Sequence, residues 1–305
     1  MKVGIIGAGA LGSLFAHCFH EHLIDFVIYE KNSGIVSDIN KKGLSLGKNG
    51  TVRIIKPSIS TSPGILADSE IIFLFVKSYS TVEALHDVSG YLNSNSIIVS
   101  LQNGLGNIEE IRKIIEPGRI VYGTTTIGAS KSSLSAVVAG GSGIINIGGA
   151  EDGHVLKVHH LLNSAGLNSY MVDDPGLYLW NKAVINAGIN PIAAILGIAN
   201  GDLLTNSFAS TLMENIIREA VNAAAANNIK MDFSEMLKAT REVCEKTFTN
   251  RCSMLQDRTN GRKTEIESIN GKIIEYGISK GIDLPYNRSL YLLVKSLETI
   301  AEQNR

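Results

Sequence analysis

The chain has 305 residues, with 28 Lys plus Arg against 29 Asp plus Glu and 44% hydrophobic residues. A formal charge of -1 lacks the basic excess that nucleic-acid and anionic-membrane surfaces need, so neither partner is expected. At about 100–200 residues per domain, the length predicts two domains. Cys18, Cys244 and Cys252 form no C-x-x-C pair, which argues against a disulfide scaffold or a structural zinc site.

Lys2 followed by the apolar run Val3–Ala16 has the look of a signal peptide, but Gly4, Gly7, Gly9 and Gly12 would weaken its helix. The most apolar later stretch, 183–199, contains Asn186, Asn190 and Pro191 and does not read as a membrane span. A soluble, cytoplasmic protein is expected.

In chain order, Val3–Ile6 reads as a strand, Leu11–Glu21 as a helix and Phe26–Tyr29 as a strand. Ile71–Val76 and Ile97–Leu101 follow as apolar strands, then a helix near Ile108–Ile115 and a strand at Ile120–Tyr122. Continuous apolar strands alternating with helices predict a parallel sheet covered on both faces. Residues 131–150, punctuated by Gly140, Gly141, Gly143, Gly148 and Gly149, read as an antiparallel extension of that sheet. The turn Asp173-Asp174-Pro175-Gly176 marks the expected domain boundary. Helices are expected beyond it near 177–190, 207–228, 234–249, 263–280 and 287–303. The predicted architecture is an α/β domain over 1–173 followed by an all-α domain over 174–305.

Gly7-Ala8-Gly9-Ala10-Leu11-Gly12 follows the first strand and opens the first helix. In that context Gly7 permits the tight turn, Gly9 lets a pyrophosphate approach the backbone, and Gly12 lets helix pack on strand. The helix N-terminus adds oriented N–H groups and a positive dipole. About 20 residues on, where a ribose is read, stand Glu30 and Lys31. Glu30 favours NAD by bonding a 2′-hydroxyl; Lys31 favours NADP by pairing with a 2′-phosphate. A solvated surface pair is the plainer alternative. Lys77 and Gln102-Asn103-Gly104 end apolar strands, where open α/β sheets bind ligands, although a solvated lysine and an ordinary turn are equally ordinary readings.

Lys182, Asn186 and Asn190 recur at i, i+4 and i+8, so a helix puts them on one face among apolar neighbours. One cation with two amides suits a small oxygen-rich carboxylate; the competing reading is an interhelical hydrogen-bond network. Glu265, just after Thr264, has first-turn dipole compensation as its plainer role. His17, His20 and His22 are only roughly co-facial and no carboxylates converge with them, so no metal site is expected.

Together these segments resemble the ketopantoate reductases (2-dehydropantoate 2-reductases) from residue 3 to about 300. The resemblance rests on the glycine loop, Val76-Lys77, Gln102-Asn103-Gly104 and Lys182-x-x-x-Asn186-x-x-x-Asn190-Pro191. It extends to Asn200-Gly201, Ser253-Met254-Leu255-Gln256-Asp257 and the run from Thr264 to Gly271. It implies a Rossmann domain joined to a helical one with the active site between them, reducing 2-dehydropantoate to (R)-pantoate with NADPH, on the way to pantothenate and coenzyme A.

On the matching positions, Lys182 would be the catalytic lysine and Glu265 the acidic residue near substrate and nicotinamide. Asn186, Asn190, Asn200 and Ser253 would contact the 2-keto acid. Lys77 and Asn103 would line the nicotinamide side, with Asn103 also reaching substrate, and Thr125–Ala129 would border the cofactor. NADP-using members tend to carry Arg in the place of Lys31 after an uncharged residue. Glu30-Lys31 departs from that pattern and admits NADH, as in relatives that act as NAD-dependent D-2-hydroxyacid dehydrogenases. A non-catalytic NAD(P) sensor is a third reading, disfavoured because a sensor has no need of Lys182, Asn186, Asn190, Ser253 and Glu265. Oligomeric state is not fixed by the sequence; helical second domains often pair, which makes a homodimer the assembly to test.

Overall fold

The computed structural model describes residues 1–48, 50–149 and 151–303; Ala150 and Arg305, which end two of the expected segments, lie outside them. The chain forms two compact units, Met1–Gln102 with Asn107–Gly176, and Asn103–Gly106 with Leu177–Arg305. Each has its own apolar core.

The first unit runs β1 (Val3–Ile6), α1 (Ala10–Glu21), β2 (Phe26–Tyr29), α2 (Ser33–Lys42), β3 (Leu44–Lys48), β4 (Thr51–Ile55) and β5 (Ser58–Ser60). It continues through β6 (Ile71–Leu74), α3 (Thr81–Ser89), β7 (Ile97–Ser100), α4 (Asn107–Arg112), β8 (Ile120–Thr125), β9 (Ala129–Lys131), β10 (Ala136–Ala139), β11 (Ile145–Gly148), α5 (Asp152–Ser164) and β12 (Ser169–Met171). The large sheet has the order β12-β11-β8-β7-β6-β1-β2-β5. β1 lies between β2 and β6, parallel to both, so the chain reverses its direction of travel across the sheet there. That reversal opens the crevice into which the loop after β1 projects. α1 is fixed on the sheet by aromatic packing: the Phe15 and Phe19 rings each lie 5.6 Å from Phe73 of β6. Both phenylalanines are fully buried, each contributing about 1.5–3 kcal/mol of apolar burial that holds the helix N-terminus in place.

Residues 131–150 correct one expectation. Only β11 extends the main sheet antiparallel, against β8. β9 and β10 instead join β3 and β4 in a separate sheet of order β4-β3-β10-β9, with β10 parallel to β3. The period-two pattern of this region cannot say which strand it pairs with. Burial decides: Val137, Leu44 and Leu46 turn inward together against α1.

The second unit comprises α6 (Pro175–Leu196), α7 (Asp202–Thr205), α8 (Ser207–Ala226), α9 (Phe233–Lys246), α10 (Ser253–Thr259), a π-helical turn (Glu267–Gly271), α11 (Lys272–Ile278) and α12 (Pro285–Gln303). Two expected helices change form. α6 passes through Pro191 to Leu196 rather than stopping near 190; it is buried through Ile189, Ile192, Ala193 and Ala194, and that packing offsets the lost proline N–H. Residues 263–280 are not one helix but a bend at Glu265, the π turn, and α11. π turns inside helices recur at functional sites, and this one begins two residues after Glu265.

Among the described residues no helix is long and apolar enough to cross a membrane. Among them no three His, Cys, Asp or Glu side chains are grouped to hold a metal ion. His17 is buried, its Nε2 donating to the Leu44 carbonyl at 2.9 Å.

Candidate active site

In the first unit Gly7 adopts φ +98°, a left-handed conformation that favours glycine, in the turn between β1 and α1. A Cβ on Gly12 would overlap the carbonyl oxygen of Gly7. The loop therefore lies directly against the first turn of α1. Gly9 is the N-cap and offers no side-chain cap, and the first turn carries no acidic residue. Uncapped N–H groups and the positive end of the helix dipole are left for an anion, so the loop fits a dinucleotide pyrophosphate.

Glu30 and Lys31 have different surroundings. The Glu30 carboxylate accepts from Ala8 N–H at 2.8 Å and from Asn32 N–H at 2.9 Å, tying the end of β2 to the glycine loop. Lys31 is drawn to α3, with Nζ 2.6 Å from Glu83 Oε1 and 3.3 Å from Asp87 Oδ2. The Glu83 hydrogen bond chiefly, with help from Asp87, raises its pKa. Nothing in the local sequence indicated the links to Ala8, 22 residues from Glu30, or to Glu83, 52 residues from Lys31.

Lys77 lies in the first unit at the end of β6, preceding a single 3-10 turn over Ser78–Ser80. The ends of β6 and β7 are stitched by Gln102, whose Nε2 donates to the Val76 carbonyl and to Thr81 Oγ1, both at 2.8 Å. Ser100 Oγ donates to Gln102 Oε1 at 2.9 Å.

Asn103, Lys182, Asn186, Asn190, Asn200, Ser253 and Glu265 all belong to the second unit. The i, i+4, i+8 spacing puts Lys182, Asn186 and Asn190 on one face of α6, and Asn190 is only 5% exposed. Glu265 is 7% exposed, and Asn103 Nδ2 lies 3.5 Å from its Oε2. Burial pushes the Lys182 ammonium down to about 8, while the Glu265 carboxylate pulls it back up. A lysine near neutral pKa beside a carboxylate can exchange a proton at working pH.

Asn200 is 7% exposed; its Nδ2 donates to Thr247 Oγ1 at 2.9 Å, while its Oδ1 is buried without a hydrogen-bond partner. Such an oxygen suits a donor from a bound molecule. Ser253 opens α10 and is exposed, and the cap is made by Cys252 Sγ, which accepts from Leu255 N–H.

Two supports for Glu265 were not visible in the sequence. Glu298 of α12 accepts at 2.7 Å from both the backbone N–H and the hydroxyl of Thr264, the residue before Glu265. Leu105 N–H donates to the Ser268 carbonyl at 2.7 Å, which docks the Asn103 segment on the π turn. No spacing rule joins residues so far apart. The local signal was the alternation of polar residues with Ile266 and Ile269 from Thr264 to Asn270.

Residues 3–152 match the family Ketopantoate reductase PanE/ApbA, and residues 176–298 match Ketopantoate reductase PanE/ApbA C terminal. The chain is 35% identical over 303 residues to a 2-dehydropantoate 2-reductase of Pyrococcus horikoshii, covering 98% of each chain. It superposes on D-mandelate dehydrogenase, solved with NADH and anilino(oxo)acetate, with a TM-score of 0.94 at 28% identity over 99% of both chains. With a ketopantoate reductase from Ralstonia eutropha JMP134 the TM-score is 0.92 at 25% identity, covering 99% of this chain and 100% of that one. The Rossmann unit and these full-length matches make the chain an NAD(P)-dependent oxidoreductase. It belongs to the ketopantoate reductase family.

Proposed function

We propose that this protein reduces the ketone of 2-dehydropantoate to give (R)-pantoate, with residues 1–173 binding the dinucleotide and 174–305 the substrate. The observation that carries this reading is the single face of α6 that holds Lys182, Asn186 and Asn190, with the Glu265 carboxylate acting on the Lys182 ammonium. When bound, the dihydronicotinamide supplies the hydride that reduces the C2 ketone. The protein's own share is positioning, charge and a proton. Gly7, Ala8, Gly9, Ala10, Leu11 and Gly12 hold the pyrophosphate through backbone N–H groups. Lys77 and Asn103 face the nicotinamide end. Asn186, Asn190, Asn200 and Ser253 orient the carboxylate and hydroxyl groups of the substrate. The Lys182 ammonium stabilises the developing alkoxide and passes a proton from Nζ to that oxygen. Glu265 sustains the charge on the ammonium, and Asn103 holds Glu265 in turn.

NADPH is the cofactor the family resemblance implies. NADH is favoured by one observation: Glu30 is held by the Ala8 amide of the glycine loop and by the Asn32 amide, whereas Lys31 is drawn toward Glu83 and Asp87 of α3. A carboxylate there accepts from a ribose 2′-hydroxyl and repels a 2′-phosphate. The relevant experiment follows oxidation of NADPH and NADH by absorbance with 2-dehydropantoate and a panel of other 2-keto acids. Efficient turnover of 2-dehydropantoate is expected, and Glu30→Ala should move the kcat/KM ratio toward NADPH by about 10-fold. Turnover of another 2-keto acid alone would favour an NAD-dependent D-2-hydroxyacid dehydrogenase. A ratio indifferent to Glu30→Ala would remove Glu30 from cofactor choice. Silence across the whole panel would leave a binding protein.

The pH dependence follows from the lysine. Reduction needs the ammonium, so kcat/KM for the keto acid should hold steady below pH 8 and fall as pH rises through about 8. Oxidation of the hydroxy acid needs the free amine and should rise over the same interval. Because Glu265 raises the lysine's pKa, Glu265→Gln should move both limbs to lower pH. Limbs that stay in place in this variant would show that the titrating group is not Lys182.

A further inference from the structure

The small second sheet has no part in the function so far, yet one of its side chains reaches the glycine loop. Lys131 ends β9, and its Nζ donates to the carbonyl of Ala8 at 2.9 Å. The same carbonyl accepts from Ser13 Oγ at 3.2 Å, and the Ala8 N–H is held by Glu30. The Ala8 peptide, between Gly7 and Gly9, is thus gripped at both ends. A full positive charge stands one residue from the N-cap of α1, whose first turn carries no charge of its own.

A helix N-terminus alone offers roughly half an elementary charge to a pyrophosphate that carries two negative charges. An ammonium adds a whole charge and has three N–H donors, so donation to Ala8 is compatible with a phosphate contact. We propose that Lys131 is a further dinucleotide-binding residue, whose ammonium on the glycine loop attracts the cofactor's pyrophosphate. This rests on the dinucleotide binding at the loop after β1. It assigns the second sheet a role: β9 and β10 lie against α1 and carry this cation to its N-terminal end.

The test is binding rather than turnover. NADH and NADPH are titrated into the whole protein by calorimetry, at about 50 mM and about 500 mM NaCl, for the wild type and for Lys131→Gln and Lys131→Arg. Lys131→Gln, which keeps an N–H donor but loses the charge, should weaken Kd about 10-fold at low salt. At high salt, where the Debye length shrinks from roughly 14 Å to 4 Å, the difference should fall to about threefold or less. Lys131→Arg should stay near wild type.

Equal Kd values in wild type and Lys131→Gln would overturn the proposal. So would a loss of the same size at both salt concentrations, or one shared equally by Lys131→Arg, since either marks a neutral tether of the loop. If the wild type itself bound neither dinucleotide, the reading of the loop as a cofactor site would fail first, and the proposal with it.

Discussion

Lys182→Ala should lower kcat/KM for the keto acid by about 10³-fold or more, while Kd for the dinucleotide changes little. The magnitude follows from two losses at one atom. General acid catalysis contributes about 10²–10⁴-fold, and removing one donor from a developing oxyanion costs about 10²–10³-fold. These overlap in a single ammonium and do not multiply. The glycine loop lies in the other compact unit, so dinucleotide affinity should persist. Turnover within a few-fold of wild type would refute the assignment.

The same substitution site has a stability signature that separates chemistry from folding. Below pH 8 Lys182 is charged in both folded and unfolded chains, and the folded state bears the whole cost of burying the ammonium. As pH rises from about 8 toward the ordinary lysine value of 10.5, the folded chain sheds its proton first and that cost is relieved. The cost at pH 7 is at most about 3 kcal/mol, reduced by the part of the side chain that solvent reaches. Lys182→Met, which keeps the apolar stem, should therefore melt at or above the wild-type temperature at pH 7, with the advantage fading above pH 10. An inactive yet equally stable Met variant is the expected pair of results. A large drop in Tm would mean that the ammonium is a structural partner instead.

Gly12→Ala should weaken dinucleotide binding by about 100-fold. Its methyl group would overlap the Gly7 carbonyl, which belongs to backbone and cannot rotate away. Relief requires α1 to move off the loop, but the helix is pinned through Phe15 and Phe19 on Phe73. Overpacking against a fixed backbone typically costs about 1–3 kcal/mol. The N–H groups that should meet the pyrophosphate would also be displaced, and such contacts lose strength steeply with misalignment. Calorimetric titration of NADH against the variant reads this directly; wild-type affinity would show that the loop does not need its third glycine.

Much of this architecture was legible in the residues, for a local reason. The glycine loop, the strand before it and the helix after it lie within about 20 residues, where turn chemistry and apolar periodicity act directly. The face carrying Lys182, Asn186 and Asn190 could be read because helical spacing alone places i, i+4 and i+8 together. Where local pattern does not decide the structure, the deciding contact is distant. Residues 129–139 have the composition of a strand in either sheet, and only the burial of Val137 with Leu44 and Leu46 assigns them to the smaller one. The interruption of the helix over 263–280 likewise has no strong breaker in sequence. It is set by Glu298 on Thr264 and by Leu105 on Ser268.

The residues alone are enough for a glycine loop between strand and helix, a parallel α/β half and a helical half presenting one lysine and two amides on a single face. Tertiary structure alone decided how those groups are tuned: Glu30 on the Ala8 amide, Lys31 drawn to Glu83 and Asp87, Asn103 beside Glu265 from 162 residues away, and Lys131 on the Ala8 carbonyl. Local rules reach only three or four residues along a helix or two along a strand. Charge and hydrogen bonding act through space instead, between side chains that meet only once packing has brought their elements together.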